Sequence, residues 1–181
     1  MKEAFIQQAT LVFCIESQRI LLGMKKRGFG VGKWNGMGGK LLSTETLEDC
    51  ARREMEEEAG LIVGALEKCG ILRFEFQDES TSWEVHVFKT SDFKGTICES
   101  EEMRPCWFDW ADIPYESMWL DDKFWLPLLL QGQRFLGDFL FLGHERILEH
   151  KVVVLPQDQN VPKDWSNAQH HVLRPAFEST T

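Results

Sequence analysis

The order of apolar patterns along this chain predicts an α+β fold, with a mixed β-sheet sandwiched between helices. Strand-like segments lie on both sides of one long amphipathic helix, and a second helical pattern falls near residue 124. Two further strand patterns follow it.

Residues 9–15, ATLVFCI, are rich in strand formers, and 19–25, RILLGMK, follow after a polar turn as an opening strand pair. Next, KRGFGVGKWNGMGGK holds six glycines between positions 28 and 39. It is neither a GxGxxG after a strand nor a GxxxxGK[ST] loop, so the dinucleotide and P-loop readings fail. Its place just before an acidic helix suggests backbone that must come close to a ligand.

That helix starts at Thr46, an N-cap with Asp49 three residues on, and ends at Gly60. Leu47, Cys50, Ala51 and Met55 share the face a helix buries. Glu54, Glu57 and Glu58 fall on or beside the same face, in the last turns, where the helix dipole disfavours negative charge. Like charges at this spacing repel by a few tenths of a kcal/mol per pair. An acidic run is ordinarily a solvated surface. Here the placement stabilises nothing in the helix, so a cation should compensate. Hard oxygen ligands on a rigid face suit Mg²⁺ or Mn²⁺ carried in with phosphates.

Residues 64–77 end in the alternating LRFEF, DEST turns, and WEVHVFKT returns as the second arm of a hairpin. His86 reads as a strand residue rather than a ligand, having no partner at metal spacing. MRPCWFDW at 103–110 is another strand, which Pro105 confines to an edge or a bulge. MWLDDKFWLPLLLQG reads as a helix with Asp121 as candidate cap, perturbed by Pro127. RFLGDFLFLG and ERILEHKVVVL are strands. From Pro156 the composition turns to Gln, Asn, Ser, Pro and His and predicts a disordered tail.

A net charge of −9 argues against a nucleic-acid partner bound through a basic face. Five cysteines, an odd number without CxxC spacing, read as thiols of a reducing compartment. No run approaches 18 apolar residues and no signal peptide is visible, so no membrane partner is expected. The expectation is a cytoplasmic monomer acting on a small molecule, with nuclear or mitochondrial pools also open.

From Gly39 the chain reads five residues to Glu45, seven to Arg53-Glu54-Met55, one to Glu57-Glu58, and one to Gly60-Leu61. This resembles the complete box of the Nudix hydrolases, with Thr44 at a common but not defining glycine position. The resemblance implies the Nudix fold and cleavage of a diphosphate linked to another moiety, by water, with a divalent metal. It makes Glu54, Glu57 and Glu58 the metal-binding and base carboxylates. Glu57 and Glu58 are then ligands, and Glu54 is either a ligand or the general base. Arg53 matches the orienting arginine, paired with Glu45 and holding a catalytic glutamate. Gly38 would offer its carbonyl to the metal, Gly39 would carry the loop past it, and Lys25 would meet phosphate. Glu102 matches an additional acidic metal or base residue.

From Met1 to about Leu155 the sequence is similar to the animal oxidised-purine nucleoside triphosphatases of the MutT-homologue type. LLGMKKRGFGVGKWNGMGGK, FEF with VHVF, ESEEMRPCWF and MWLDDKFWLPLLLQ carry the likeness. It implies a Nudix hydrolase domain at 1–155, a tail at 156–181, and hydrolysis of 8-oxo-dGTP or 2-oxo-dATP to monophosphate and pyrophosphate. Asp121 and Asp122 are adjacent acids behind Trp119. Repulsion and burial should raise at least one pKa, so the pair can offer an acceptor and a protonated donor to a purine edge. Trp119 supplies a stacking face and Asn35 an amide, while Thr10, Phe29, Phe74 and Met103 match pocket walls. Met37 and Trp83 stand where relatives usually carry Phe and Met, and both are expected near the base. The alternatives are a hydrolase of another nucleoside diphosphate derivative, such as ADP-ribose, and a non-catalytic nucleotide-binding module. An mRNA-decapping role fits poorly with the acidic charge.

Overall fold

The computed structural model describes residues 5–168. In chain order these form β1 (Phe5–Glu16), β2 (Arg19–Lys25), β3 (Trp34–Asn35), α1 (Leu47–Ala59), β4 (Ile62–Val63), β5 (Glu67–Phe76) and β6 (Thr81–Thr90). There follow β7 (Phe93–Lys94), β8 (Met103–Asp109), α2 (Asp122–Leu130), β9 (Phe135–Leu142), β10 (Arg146–Val154) and α3 (Trp165–Ala168). The sheet runs β10-β9-β5-β6-β1-β2-β3, with β8 also paired to β2, and β4 pairs β7 separately. It is mixed: β1–β6 and β5–β9 are parallel and the other pairs antiparallel. No helix of the described residues is long and apolar enough to cross a membrane.

Strand alternation builds the two faces. On β1, Leu11 and Phe13 point into a core with Trp125, Leu126 and Leu129 of α2. Val12 and Cys14 point the other way, against Ala51, Met55 and Ala59 of α1. The sheet therefore lies between the two helices. At the start of α1 the expected capping box is present, with the Asp49 N–H donating to Thr46 Oγ1 at 3.1 Å. At its end Gly60 takes a left-handed φ of 72° and donates to the Glu56 carbonyl at 2.9 Å.

The glycine-rich segment lies along β1. The Thr10 N–H donates to Gly39 O at 2.9 Å, and Val12 and Met37 exchange bonds of 2.7 and 3.1 Å. A Cβ at position 38 would run into the Thr10 carbonyl, and one at 39 into the Glu54 carboxylate. Glycine is thus required where loop, β1 and α1 meet.

Some expectations change. Asp121 stands at the N-cap position of α2 but its side chain caps no backbone N–H; its carboxylate instead accepts from Trp125 Nε1 at 2.9 Å. Pro127 lies inside α2, which continues to Leu130. Met37, expected near the base, is fully buried with Val12, Leu21 and Met55 under α1 and does not line the large cavity between the sheet and the two helices. The strand period explains it: Met37 is bridged to Val12, whose side chain faces α1. Residues 156–168 pack rather than hang free. Trp165 and Ala168 are buried against Ile71, Leu136 and Leu155, and Lys68 donates to the carbonyls of Pro162 and Lys163 at 2.8 and 2.9 Å. Two buried apolar anchors and one half-buried cation outweigh the polar composition there. The rest of the expected tail, 169–181, lies outside the described residues.

Candidate active site

Of the side chains expected to act, all but Glu57 line one cavity of about 760 Å³, as does Gly38. Its walls come from β1, β2, the glycine-rich segment, α1, the β5–β6 hairpin, the start of β8 and the start of α2.

On the α1 side, Arg53 organises the carboxylates. Its Nε and Nη2 donate to the two oxygens of Glu45 at 3.0 and 2.7 Å, and its Nη1 donates to Glu54 at 2.6 Å. The bonds from Arg53 hold the Glu45 carboxyl down to about 2. Glu54 behaves differently: burial raises its pKa, with Arg53 opposing. Glu58 is 3 % exposed, accepts from the Gly38 N–H at 2.9 Å and lies 3.4 Å from Lys25 Nζ. Burial outweighs both partners and pushes its carboxyl up to about 7. Glu57, expected as a ligand, has a side chain 59 % exposed and lies 3.3 Å from Arg53 Nη1, outside the cavity wall. Glu102 faces Glu58 across Lys25, at 3.5 Å from Nζ, and bonds Arg27 at 2.6 Å, which lowers its pKa.

These are hard oxygen donors, and they fit a divalent cation by chemistry. The absent Cβ at Gly39 keeps the Glu54 carboxylate open to the loop. Among the described residues no three acidic, His or Cys side chains already stand together as a metal cluster.

The opposite side of the cavity is built on α2 and the segment before it. Asp122 Oδ2 accepts from the Trp119 N–H at 3.0 Å, beside the Asp121–Trp125 bond. Both aspartates are buried. Burial raises both pKa values, and the charge of Asp121 raises Asp122 further. Phe29 stacks on Trp119 with ring centroids 4.9 Å apart, and Lys33 Nζ lies 5.1 Å from the indole centroid. Asn35 Oδ1 accepts from the Gly36 N–H at 2.8 Å, which holds the turn and fixes the amide. Thr10 Oγ1 sits 3.3 Å from the Cys50 sulfur. Trp83 pairs with Phe74 across the hairpin, under Lys40 Nζ at 5.4 Å.

Sequence reasoning missed Arg27, Lys33, Lys40 and His144 on the cavity. The three cations flank or lie within the glycine-rich stretch, where cation density was a usable signal. His144 sits in the β9–β10 turn and belongs to no motif.

A NUDIX domain model matches residues 6–129. Over 143 residues the chain is 54% identical to the oxidized purine nucleoside triphosphate hydrolase of Danio rerio, covering 79% of this chain and 92% of that protein. It is 50% identical over 143 residues to the protein of that name from Mus musculus, with the same coverage. The crystal structure of a MutT protein from Bacillus halodurans matches with a TM-score of 0.73 at 25% identity, over 81% of this chain and 97% of that one. The arginine-bound carboxylates of α1, the glycine segment against them and the domain match agree: this chain belongs to the Nudix family.

Proposed function

We propose that this protein hydrolyses oxidised purine nucleoside triphosphates, such as 8-oxo-dGTP and 2-oxo-dATP, to the monophosphate and pyrophosphate, so sanitising the nucleotide pool. One observation carries the reading. A single cavity joins the α1 carboxylates to two buried aspartates of raised pKa beside Trp119.

Nudix hydrolases generally need a divalent metal; Mg²⁺ is the ion proposed here. Glu54, Glu58, Glu102 and the Gly38 carbonyl would hold it, with Glu57 joining from the rim. The ion would screen phosphate charge and make water more acidic. Lys25, between Glu58 and Glu102, meets the phosphates. Arg53 fixes Glu54 while Glu45 fixes Arg53. Glu58, held by the Gly38 N–H, serves as a ligand, and Glu54, held by Arg53, is either a further ligand or the general base that takes a proton from water.

Trp119 offers an indole face for the base. The aspartate pair offers one neutral carboxyl as donor and one carboxylate as acceptor. Oxidation changes the donor–acceptor pattern of a purine edge, and a pair sharing one proton can match more than one such pattern.

The test is incubation of the pure protein and Mg²⁺ with 8-oxo-dGTP, 2-oxo-dATP, dGTP and ADP-ribose, with products identified. The oxidised triphosphates should yield monophosphate and pyrophosphate fastest. Preference for ADP-ribose, or equal cleavage of dGTP, would overturn the proposal.

A further inference from the structure

Four side-chain nitrogens of the described residues are buried with no hydrogen-bond partner: His86 Nδ1, Trp110 Nε1, His144 Nδ1 and Trp165 Nε1. Of the four residues, only His144 lines the cavity. It stands just past β9, in the turn that leads into β10. Its ring lies edge-on to three aromatic rings of the cavity wall. Centroid separations are 4.7 Å to Phe29, 5.1 Å to Phe76 and 6.4 Å to Trp119. Its other nitrogen, Nε2, lies 3.5 Å from Glu79 Oε1 in the β5–β6 turn. Where the neutral ring carries its proton on Nε2, toward that carboxylate, Nδ1 is a lone-pair acceptor.

The His144 side chain as a whole is 40 % exposed, but its Nδ1 is buried without a donor, and a buried acceptor is costly unless something else completes it. Phe29 stands directly beside it, stacked on Trp119 at 4.9 Å and 63 % exposed. A planar base that takes over the Trp119 stack from Phe29 arrives next to His144, carrying N–H groups that a phenyl ring lacks.

We propose that His144 is a specificity-determining residue whose Nδ1 accepts a hydrogen bond from an N–H of the purine base. This inference rests on the oxidised-purine reading above. Two base donors fit the chemistry. Oxidation at C8 places a hydrogen on N7, giving an N–H that unmodified guanine lacks, whereas the exocyclic amine is common to both bases.

The test compares wild type, His144→Phe and His144→Asn on 8-oxo-dGTP and dGTP, reading KM and kcat separately. Phe keeps a ring in the aromatic box and removes both nitrogens; Asn restores an acceptor. Removing the acceptor should raise KM for 8-oxo-dGTP about 10-fold with kcat unchanged, and Asn should recover part of the loss. A loss confined to 8-oxo-dGTP identifies the N7 hydrogen as donor, and an equal loss on dGTP identifies the exocyclic amine. Unchanged KM in His144→Phe overturns the inference, as does a fall in kcat alone or a KM loss that Asn leaves wholly unrepaired. Wild-type protein that does not prefer 8-oxo-dGTP overturns the functional reading instead, so the two failures are distinguishable.

Discussion

Arg53 grips Glu45 through two parallel hydrogen bonds, 3.0 Å from Nε and 2.7 Å from Nη2. The fork ties α1 to the turn that leads into it, and leaves Nη1 to hold Glu54 at 2.6 Å. Bidentate geometry fixes the guanidinium plane, so Glu45 acts on the site through Arg53.

Glu45→Gln should therefore behave as an active-site lesion although Glu45 touches no reacting atom. Loss of such an orienting partner typically costs about 10- to 100-fold in activity or metal affinity. Steady-state kinetics at several Mg²⁺ concentrations check this. Arg53→Lys should do the same, because an ammonium cannot fork.

The buried aspartates predict a pH effect whose sign is definite. Both folded-state pKa values lie above the ordinary aspartate value of 3.8. The folded protein thus holds protons that the unfolded chain has released. Their contribution to stability is greatest at acid pH and is lost as pH rises through the folded values. Asp122→Asn removes the repulsion. Its stability advantage over wild type should grow with pH by about 1.4 kcal/mol for each unit of upward shift removed. Denaturant melts between pH 5 and 8 measure it.

Met37 should matter for stability and not for substrate choice. It is fully buried under α1, so Met37→Ala should destabilise by about 2–5 kcal/mol. The ratio of kcat/KM between oxidised and unmodified triphosphates should stay at its wild-type value, measured on the folded fraction.

Trp165 makes the C-terminal segment part of the core. Its ring is buried on Ile71 and Leu136, with Arg73 5.2 Å from its centroid. Trp165→Ala should cost about 3–5 kcal/mol. Turnover of the folded protein should be unaffected, since Trp165 is absent from the cavity wall. Thermal melts alongside kcat separate the two effects.

Where local chemistry repeats at a fixed period, the sequence was legible. The cap at Thr46, the stop at Gly60, the alternating hairpin and the acidic stripe each follow from neighbours within a few positions. The Glu45–Arg53 pair was legible because both belong to one spaced motif. The facing of Met37 was not, since it depends on β1 bridging at Val12 rather than on anything local. Glu57 and Glu58 are adjacent and look alike in sequence. Only the packed helix shows that one is buried against Gly38 and the other is exposed. Likewise Asp121 has the right position for a cap, and Trp125 one turn later takes its carboxylate instead. His144 reaches the cavity across the sheet, so no local pattern could mark it.

Under the proposed function, one half of the cavity cleaves and the other half chooses the base. The most direct test measures kcat/KM for 8-oxo-dGTP and dGTP in wild type, Glu58→Gln and Asp122→Asn. Glu58→Gln should lose most of its kcat on both substrates, as expected for removal of a carboxylate that holds the metal. Asp122→Asn should keep turnover and bring the oxidised-to-unmodified ratio down towards one. If Asp122→Asn leaves the ratio unchanged, or Glu58→Gln alters the ratio rather than the turnover, the division is contradicted.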